Sequence, residues 1–152
     1  MLKRVPIFLV LNFAALGIGA YFTGPGVESD WFKNLNQAPW NPPGWVFGAA
    51  WTFIMFCFAF FMAFCWETAG NKKRIAILFG IQWILNVSWN PIFFGAQEVL
   101  IGLITISSLT FLIGYLFFGN LKKLGLKAIL VAPYLIWLVI ATSLNGYVYL
   151  YN

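Results

Sequence analysis

Long apolar runs and short clusters of charge alternate along the chain. The charges fall at Lys3 and Arg4, at Glu28, Asp30 and Lys33, from Glu67 to Arg74, at Glu98, and from Lys122 to Lys127. The stretches between them, 5–27, 34–66, 75–97, 99–121 and 128–152, carry none, and the shortest is 23 residues long. A helix needs roughly 20 apolar residues to cross the hydrocarbon core of a bilayer. Five transmembrane helices in a single domain, 1–152, are therefore expected. Barrel strands would alternate apolar and polar residues over about ten positions, and Phe56-Cys57-Phe58-Ala59-Phe60-Phe61 does not. Lys3-Arg4, an apolar run and then Gly17 and Gly19 also fit the layout of a signal peptide, but the run continues through Phe22 and no polar secreted domain follows.

Local signals set the expected ends. The first helix should run from about Pro6 to Thr23 and stop at Gly24-Pro25-Gly26. Ala15-xxx-Gly19 and Ala20-xxx-Gly24 would let another helix approach it closely. Residues 24–44 then form a long connection in which Trp31, Phe32 and Leu35 share one face of a short helix. With Trp31 and Trp40 at membrane level, it reads as an interfacial anchor or as a lid over a cavity. The second helix should begin near Pro43 and reach about Trp66; Gly44-xxx-Gly48 in its first turn is a weak packing signal.

The third helix, about 75–90, places Gln82, Asn86, Trp89 and Phe93 on one stripe. Pro91 should end or kink it by pushing Asn90 out of helical geometry. The fourth, about 99–119, carries Gly102, Thr105, Ser107, Ser108 and Gly114, a profile suited to bundle packing and oligomer contacts. The fifth, about 128–149, aligns Trp137, Ala141 and Leu144 or Asn145. No repeat relates two halves of the chain, so an inverted-repeat transporter has no support.

Composition agrees: 62% of residues are hydrophobic and 9% charged, against roughly 45–50% and about 25% in soluble domains. The class is an all-α integral membrane protein. Five crossings put eight of the nine Lys and Arg on one side, leaving only Lys33 on the other. By the positive-inside rule the amino terminus lies in the cytoplasm and the carboxyl terminus outside, assuming a bacterial cell membrane. The pI near 9.4 then reflects topology and attraction to anionic lipid, and no nucleic-acid partner is expected.

Absent residues exclude chemistry. Without histidine there is no Ser-His-Asp or Cys-His nucleophile pair, no His-ligated haem and almost no zinc or facial-triad iron site. The four carboxylates sit at segment ends, where solvated loop charges are the ordinary reading. No ionisable residue lies mid-membrane to relay protons, and there is no phosphate-cradling GxxxxGK[ST] loop. Cys57 and Cys65, eight residues apart on one helix, are too distant for a disulfide and read as packing residues.

Three spaced clusters stand out together: Trp31-Phe32-x-x-Leu35-x-x-x-Pro39-Trp40-x-Pro42-Pro43 with Trp51; Gln82-x-x-x-Asn86-x-x-Trp89-x-Pro91-x-Phe93-Phe94-Gly95; and Pro133-Tyr134-x-x-Trp137-x-x-x-Ala141-Thr142-x-Leu144-Asn145. In this order they resemble the tryptophan-rich sensory protein or translocator protein (peripheral benzodiazepine receptor) family, TspO/MBR, over essentially the whole chain. The resemblance implies a five-helix bundle, commonly a homodimer, with the long connection between the first two helices closing as a lid over a pocket. Family members bind porphyrins such as protoporphyrin IX, and isoquinoline carboxamides and benzodiazepines; some bacterial members are reported to degrade porphyrins oxidatively in light.

Carried onto this sequence, the implied ligand-binding set is Trp31, Phe32, Pro42, Trp45, Phe47, Trp51, Asn86, Trp89, Asn90, Trp137, Ala141 and Leu144. Trp51 and Trp137 are candidates for any catalytic role. Porphyrin or another hydrophobic small molecule is the expected ligand, and no cofactor or metal is required. Taken singly, each tryptophan is as well explained by packing or an interfacial belt, and Gln82 and Asn86 by interhelical glue. Departures from the family pattern limit the transfer. Met55 and Phe32 stand where tyrosine is frequent and Gly146 where an aromatic is frequent, and no basic residue follows Tyr147 to complete a sterol-type motif.

Overall fold

The computed structural model describes residues 3–152. Its elements are α1 (Val5–Glu28), a single turn α2 (Asp30–Lys33), α3 (Gly44–Thr68), α4 (Lys72–Asn90), a π turn (Pro91–Gly95), α5 (Val99–Leu124), a 3-10 segment (Gly125–Val131) and α6 (Ala132–Tyr151). No strand occurs among the described residues. Four uninterrupted helical stretches are long and apolar enough to span a membrane, and the fourth, Val99–Tyr151, is 53 residues long. At about 1.5 Å per residue that far exceeds a bilayer core of about 30 Å. It folds back at Gly125, whose φ of 54° is open to glycine without strain, so α5 and α6 lie side by side and the bundle has five long helices.

Local chemistry explains most boundaries. Pro6 occupies the first turn of α1, and Pro43 caps the start of α3. The Asn71 side chain accepts from the Arg74 N–H at 3.0 Å to open α4. Ser29 both stops α1 and starts α2: its N–H donates to the Gly26 carbonyl at 3.2 Å, while its hydroxyl oxygen accepts from the Phe32 N–H at 3.2 Å.

One expected break is absent and another takes a different form. α1 does not stop at Thr23 but continues through Pro25 to Glu28, because one missing backbone donor is tolerated in a packed membrane helix. α4 does end at Asn90, just before Pro91, as expected, but Asn90 itself stays helical at φ −62° and ψ −53° and the chain continues as a π turn. The connection between α1 and α3 is accordingly 29–43, shorter than the expected 24–44.

Around the bundle, α1 packs on α3 and α4, α4 on α5, and α5 along α6, while α3 rests on the 3-10 segment and meets α6 only lightly. Phe58, Phe61, Met62, Leu109, Ile113, Tyr134 and Leu138 fill the centre. The outside carries Val10, Ile84, Phe111, Leu126 and Ile136, all exposed, an apolar coat that belongs in lipid. Arg4 lies over the Trp66 ring, Arg74 over Tyr115 and Lys127 over Phe64, which gathers the chain's basic clusters at one end of the bundle.

The small-residue signals divide. A Cβ on Gly19 would come within 2.8 Å of the Asn90 amide, whereas Gly24, Gly44 and Gly48 face open space. Only the first of the expected motifs is therefore used within the chain. Cys57 and Cys65 are both free.

Candidate ligand-binding site

The interior stripe of α4 faces α6. Gln82 is buried and donates through Nε2 to the Tyr134 hydroxyl at 2.8 Å. Two turns on, the Trp89 Nε1 donates to Asn145 Oδ1 at 3.1 Å, and the same Asn145 donates through Nδ2 to the Val99 carbonyl at 3.1 Å. Asn86 lies between these two bridges at 9% exposure.

Among the described residues, five polar side chains are buried in the bundle: Asn12, Gln82, Asn86, Thr105 and Asn145. Asn12 donates to the Met55 carbonyl at 3.0 Å and Thr105 to the Ile101 carbonyl at 2.8 Å. Asn86 differs from the other four. Its backbone carbonyl accepts from Asn90 Nδ2 at 3.3 Å, but its side-chain amide makes no hydrogen bond among the described residues. One turn away, the buried Gln82 Oε1 is also unpaired. Gln82 Oε1 and Trp66 Nε1 are the buried side-chain polar atoms left unpaired among the described residues, at a cost of about 1–3 kcal/mol each, and natural interiors contain few such atoms; the Asn86 amide is unpaired too but keeps some open surface.

Aromatic rings surround this stripe in two groups. On the loosely packed flank between α3 and α6, Phe47 meets the Trp137 ring edge-on at 5.2 Å, and Trp51 meets Tyr134 at 5.7 Å. At the end opposite the basic clusters, Trp89 stacks on Phe93 at 5.1 Å, Trp31 meets Phe93 edge-on at 5.6 Å, and Phe32 meets Phe94 at 5.4 Å. Trp89 is thus joined to the π turn rather than to Trp51 and Trp137, although all three border the same core.

The remaining expected positions fall as follows. Ala141, half-buried, packs against the core near Trp137 on α6, and Leu144 is half-buried as well. Pro42 is half-buried in the connection. Asn90 is turned toward α1, where its Oδ1 accepts from the Thr23 hydroxyl at 2.8 Å. Trp45 is 76% exposed and stands apart from both ring groups.

The 29–43 connection is fastened across the end of α6. The Asn36 N–H donates to Asn152 Oδ1 at 2.8 Å, Asn152 Nδ2 donates to the Asn36 carbonyl at 3.2 Å, and Asn36 Nδ2 donates to the Tyr151 carbonyl at 3.0 Å. Trp40 Nε1 donates to the Ser143 hydroxyl at 3.1 Å, and its ring meets Tyr147 at 5.5 Å. Tyr134, Asn145 and Trp40 were not among the expected site residues. The first two stand in the third spaced cluster, and helical periodicity aligns Asn145 with Trp137, but neither belongs to the expected binding set.

A helical bundle coated in apolar side chains, with polar and aromatic groups turned inward, defines a polytopic α-helical integral membrane protein. The TspO/MBR family model matches residues 7–150, and the chain belongs to that family. It is 32% identical to the tryptophan-rich protein TspO of Archaeoglobus fulgidus over 145 residues, 94% of each chain. It is 30% identical to the tryptophan-rich sensory protein of Cereibacter sphaeroides over 138 residues, 90% of this chain and 87% of that one. Similarity extends to the human translocator protein, 30% over 136 residues, covering 84% of this chain and 78% of the relative.

Proposed function

We propose that this chain is a membrane receptor or sensor that takes a flat hydrophobic tetrapyrrole of the porphyrin class into the interior beside α3, α4 and α6, with the 29–43 connection as its lid. Asn86 carries the reading: a residue only 9% exposed whose side-chain amide has no partner among the described residues and keeps some open surface, on a stripe whose neighbouring polar side chains are tied to α6. A porphyrin is a wide π-system, best held by aromatic rings and oriented by a few polar groups. Phe47, Trp51 and Trp137 supply rings, and Asn86 with Gln82 Oε1 supplies the polar contacts. Trp31, Phe32 and Pro42 belong to the closing side. The lightly packed α3–α6 flank is the side that can part to admit the ring, and isoquinoline carboxamides and benzodiazepines would use the same space. Names such as sensory protein and translocator protein among the relatives agree with a sensing or translocating role. The same reading places the basic end in a bacterial cytoplasm, and family membership supports a homodimer.

Protoporphyrin IX titrated against tryptophan fluorescence tests the site. Trp51→Phe with Trp137→Phe should weaken saturable binding about tenfold, and equal affinities for wild type and the double variant would remove the assignment. A second reading, light-driven breakdown of the porphyrin with dioxygen as the oxidant and Trp51 and Trp137 giving up electrons to the photoexcited porphyrin or to oxygen species, draws on the ring contact between Trp51 and Tyr134, two oxidisable side chains with ring centres 5.7 Å apart. Under illumination it requires a discrete product that the double variant does not form.

A further inference from the structure

At the basic end, away from the proposed tetrapyrrole pocket, a crevice of about 180 Å³ opens between the start of α4 and the end of α5. Arg74, Lys123, Tyr115, Asn71 and Asn120 form its polar wall, and Ile75, Leu78 and Leu116 its apolar one. No carboxylate lines it, and neither Arg74 nor Lys123 forms an ion pair among the described residues. Arg74 donates through Nη2 to the Tyr115 hydroxyl oxygen, which leaves the hydroxyl hydrogen free to donate onward. Asn120 Nδ2 has a second hydrogen beyond the one given to the Leu116 carbonyl at 2.7 Å. The polar wall thus brings hydrogen-bond donors and two positive charges into one crevice, the groups that recognise an oxyanion.

The apolar wall decides which kind of anion. It continues along α4 and α5 into the lipid-facing surface, where Ile77 and Phe111 are exposed, and Gly119 at its edge leaves open space. We propose that this crevice binds the phosphodiester headgroup of an anionic phospholipid, with an acyl chain following the groove between α4 and α5. Basic pockets between transmembrane helices suit such headgroups. Arginine supplies a planar fork matched to phosphate, and Lys123 a mobile point charge.

The test is native mass spectrometry of the delipidated full chain, released from detergent micelles with phosphatidylglycerol or phosphatidylcholine added. Wild type should retain phosphatidylglycerol in preference, and Arg74→Gln or Lys123→Gln should each weaken that retention about fivefold. Gly119→Leu changes no charge, fits the open space and suits a helix, yet it fills the groove and should weaken retention as much. Lys127→Gln removes the same charge at Phe64, outside the crevice, and should stay within about twofold of wild type. Unchanged retention in Gly119→Leu and in both crevice variants would overturn the proposal. So would equal losses in Lys127→Gln, which would mark diffuse charge attraction. Displacement of the lipid by an equal concentration of inorganic phosphate would assign the crevice to a free anion and overturn the lipid. Melting of each variant without added lipid verifies its fold, and the exposed positions of Lys123 and Gly119 keep two variants usable if Arg74→Gln unfolds.

Discussion

Asn86 and Asn145 are two buried asparagines with opposite duties. Asn145 holds the Trp89 indole and the Val99 carbonyl at once, whereas the Asn86 amide holds nothing within the chain. Interhelical hydrogen bonds in membranes contribute about 0.6 kcal/mol on average and up to about 1.7. Asn145→Ala should therefore destabilise the bundle by about 1–3 kcal/mol, read as an earlier thermal transition in detergent. Asn86→Ala should leave that transition nearly unchanged and weaken protoporphyrin IX by up to about tenfold, the loss of one hydrogen bond of about 0.5–1.5 kcal/mol. A large loss of stability in Asn86→Ala with unchanged ligand affinity would make Asn86 a structural residue. Helical spacing suffices to find the stripe of Gln82, Asn86, Trp89 and Phe93. It cannot separate a satisfied amide from an unsatisfied one, because that depends on what α6 places opposite. Asn90 shows the same limit: one position beyond Trp89, it turns to Thr23 on α1.

At the level of elements, periodicity and charge placement suffice for the five long helices, because lipid demands an unbroken apolar length for each crossing. The ends resist such reading. Gly24-Pro25-Gly26 is a strong breaker in water, yet α1 passes through it, since a bilayer offers freed backbone groups no solvent and packing supplies the compensation. Gly26 shows that packing directly: a Cβ there would overlap the Phe94 side chain, whereas one on Gly24 would meet nothing within 4 Å. Gly26→Ala should cost about 1–3 kcal/mol by overpacking α1 against the π turn. Gly24→Ala should be neutral or stabilising by up to about 1 kcal/mol, because alanine suits a helix interior better than glycine. Thermal unfolding of the two variants side by side checks this, and equal effects would mean that the close approach at Gly26 does not constrain α1.

For the whole molecule, the decisive relation is between the 29–43 connection and the end of α6, more than 100 positions apart in sequence. Composition marks the connection as unusual through its tryptophans, but nothing local indicates that Asn36 pairs with Asn152 or that Trp40 settles on Ser143 and Tyr147. These bonds are exposed, so they add little to overall stability; they hold the connection across one end of the bundle. If that connection closes the proposed pocket, its fastenings set how fast a ligand escapes more than how well it fits. Trp40→Ala removes one hydrogen bond and one ring contact, about 1–2 kcal/mol together, and should speed protoporphyrin IX release roughly tenfold in stopped-flow displacement while helix content stays the same. Asn152→Ala should act in the same direction through the other fastening, and the double variant should depart from the sum of the two, since Tyr147, which meets the Trp40 ring, stacks at 4.3 Å on Tyr151, whose carbonyl accepts from Asn36. Trp45→Ala, at an exposed ring with no partner in either aromatic group, should leave the release rate unchanged. Release at the wild-type rate in both fastening variants would mean that the ligand leaves by another path, with the lightly packed flank between α3 and α6 the place to look for it.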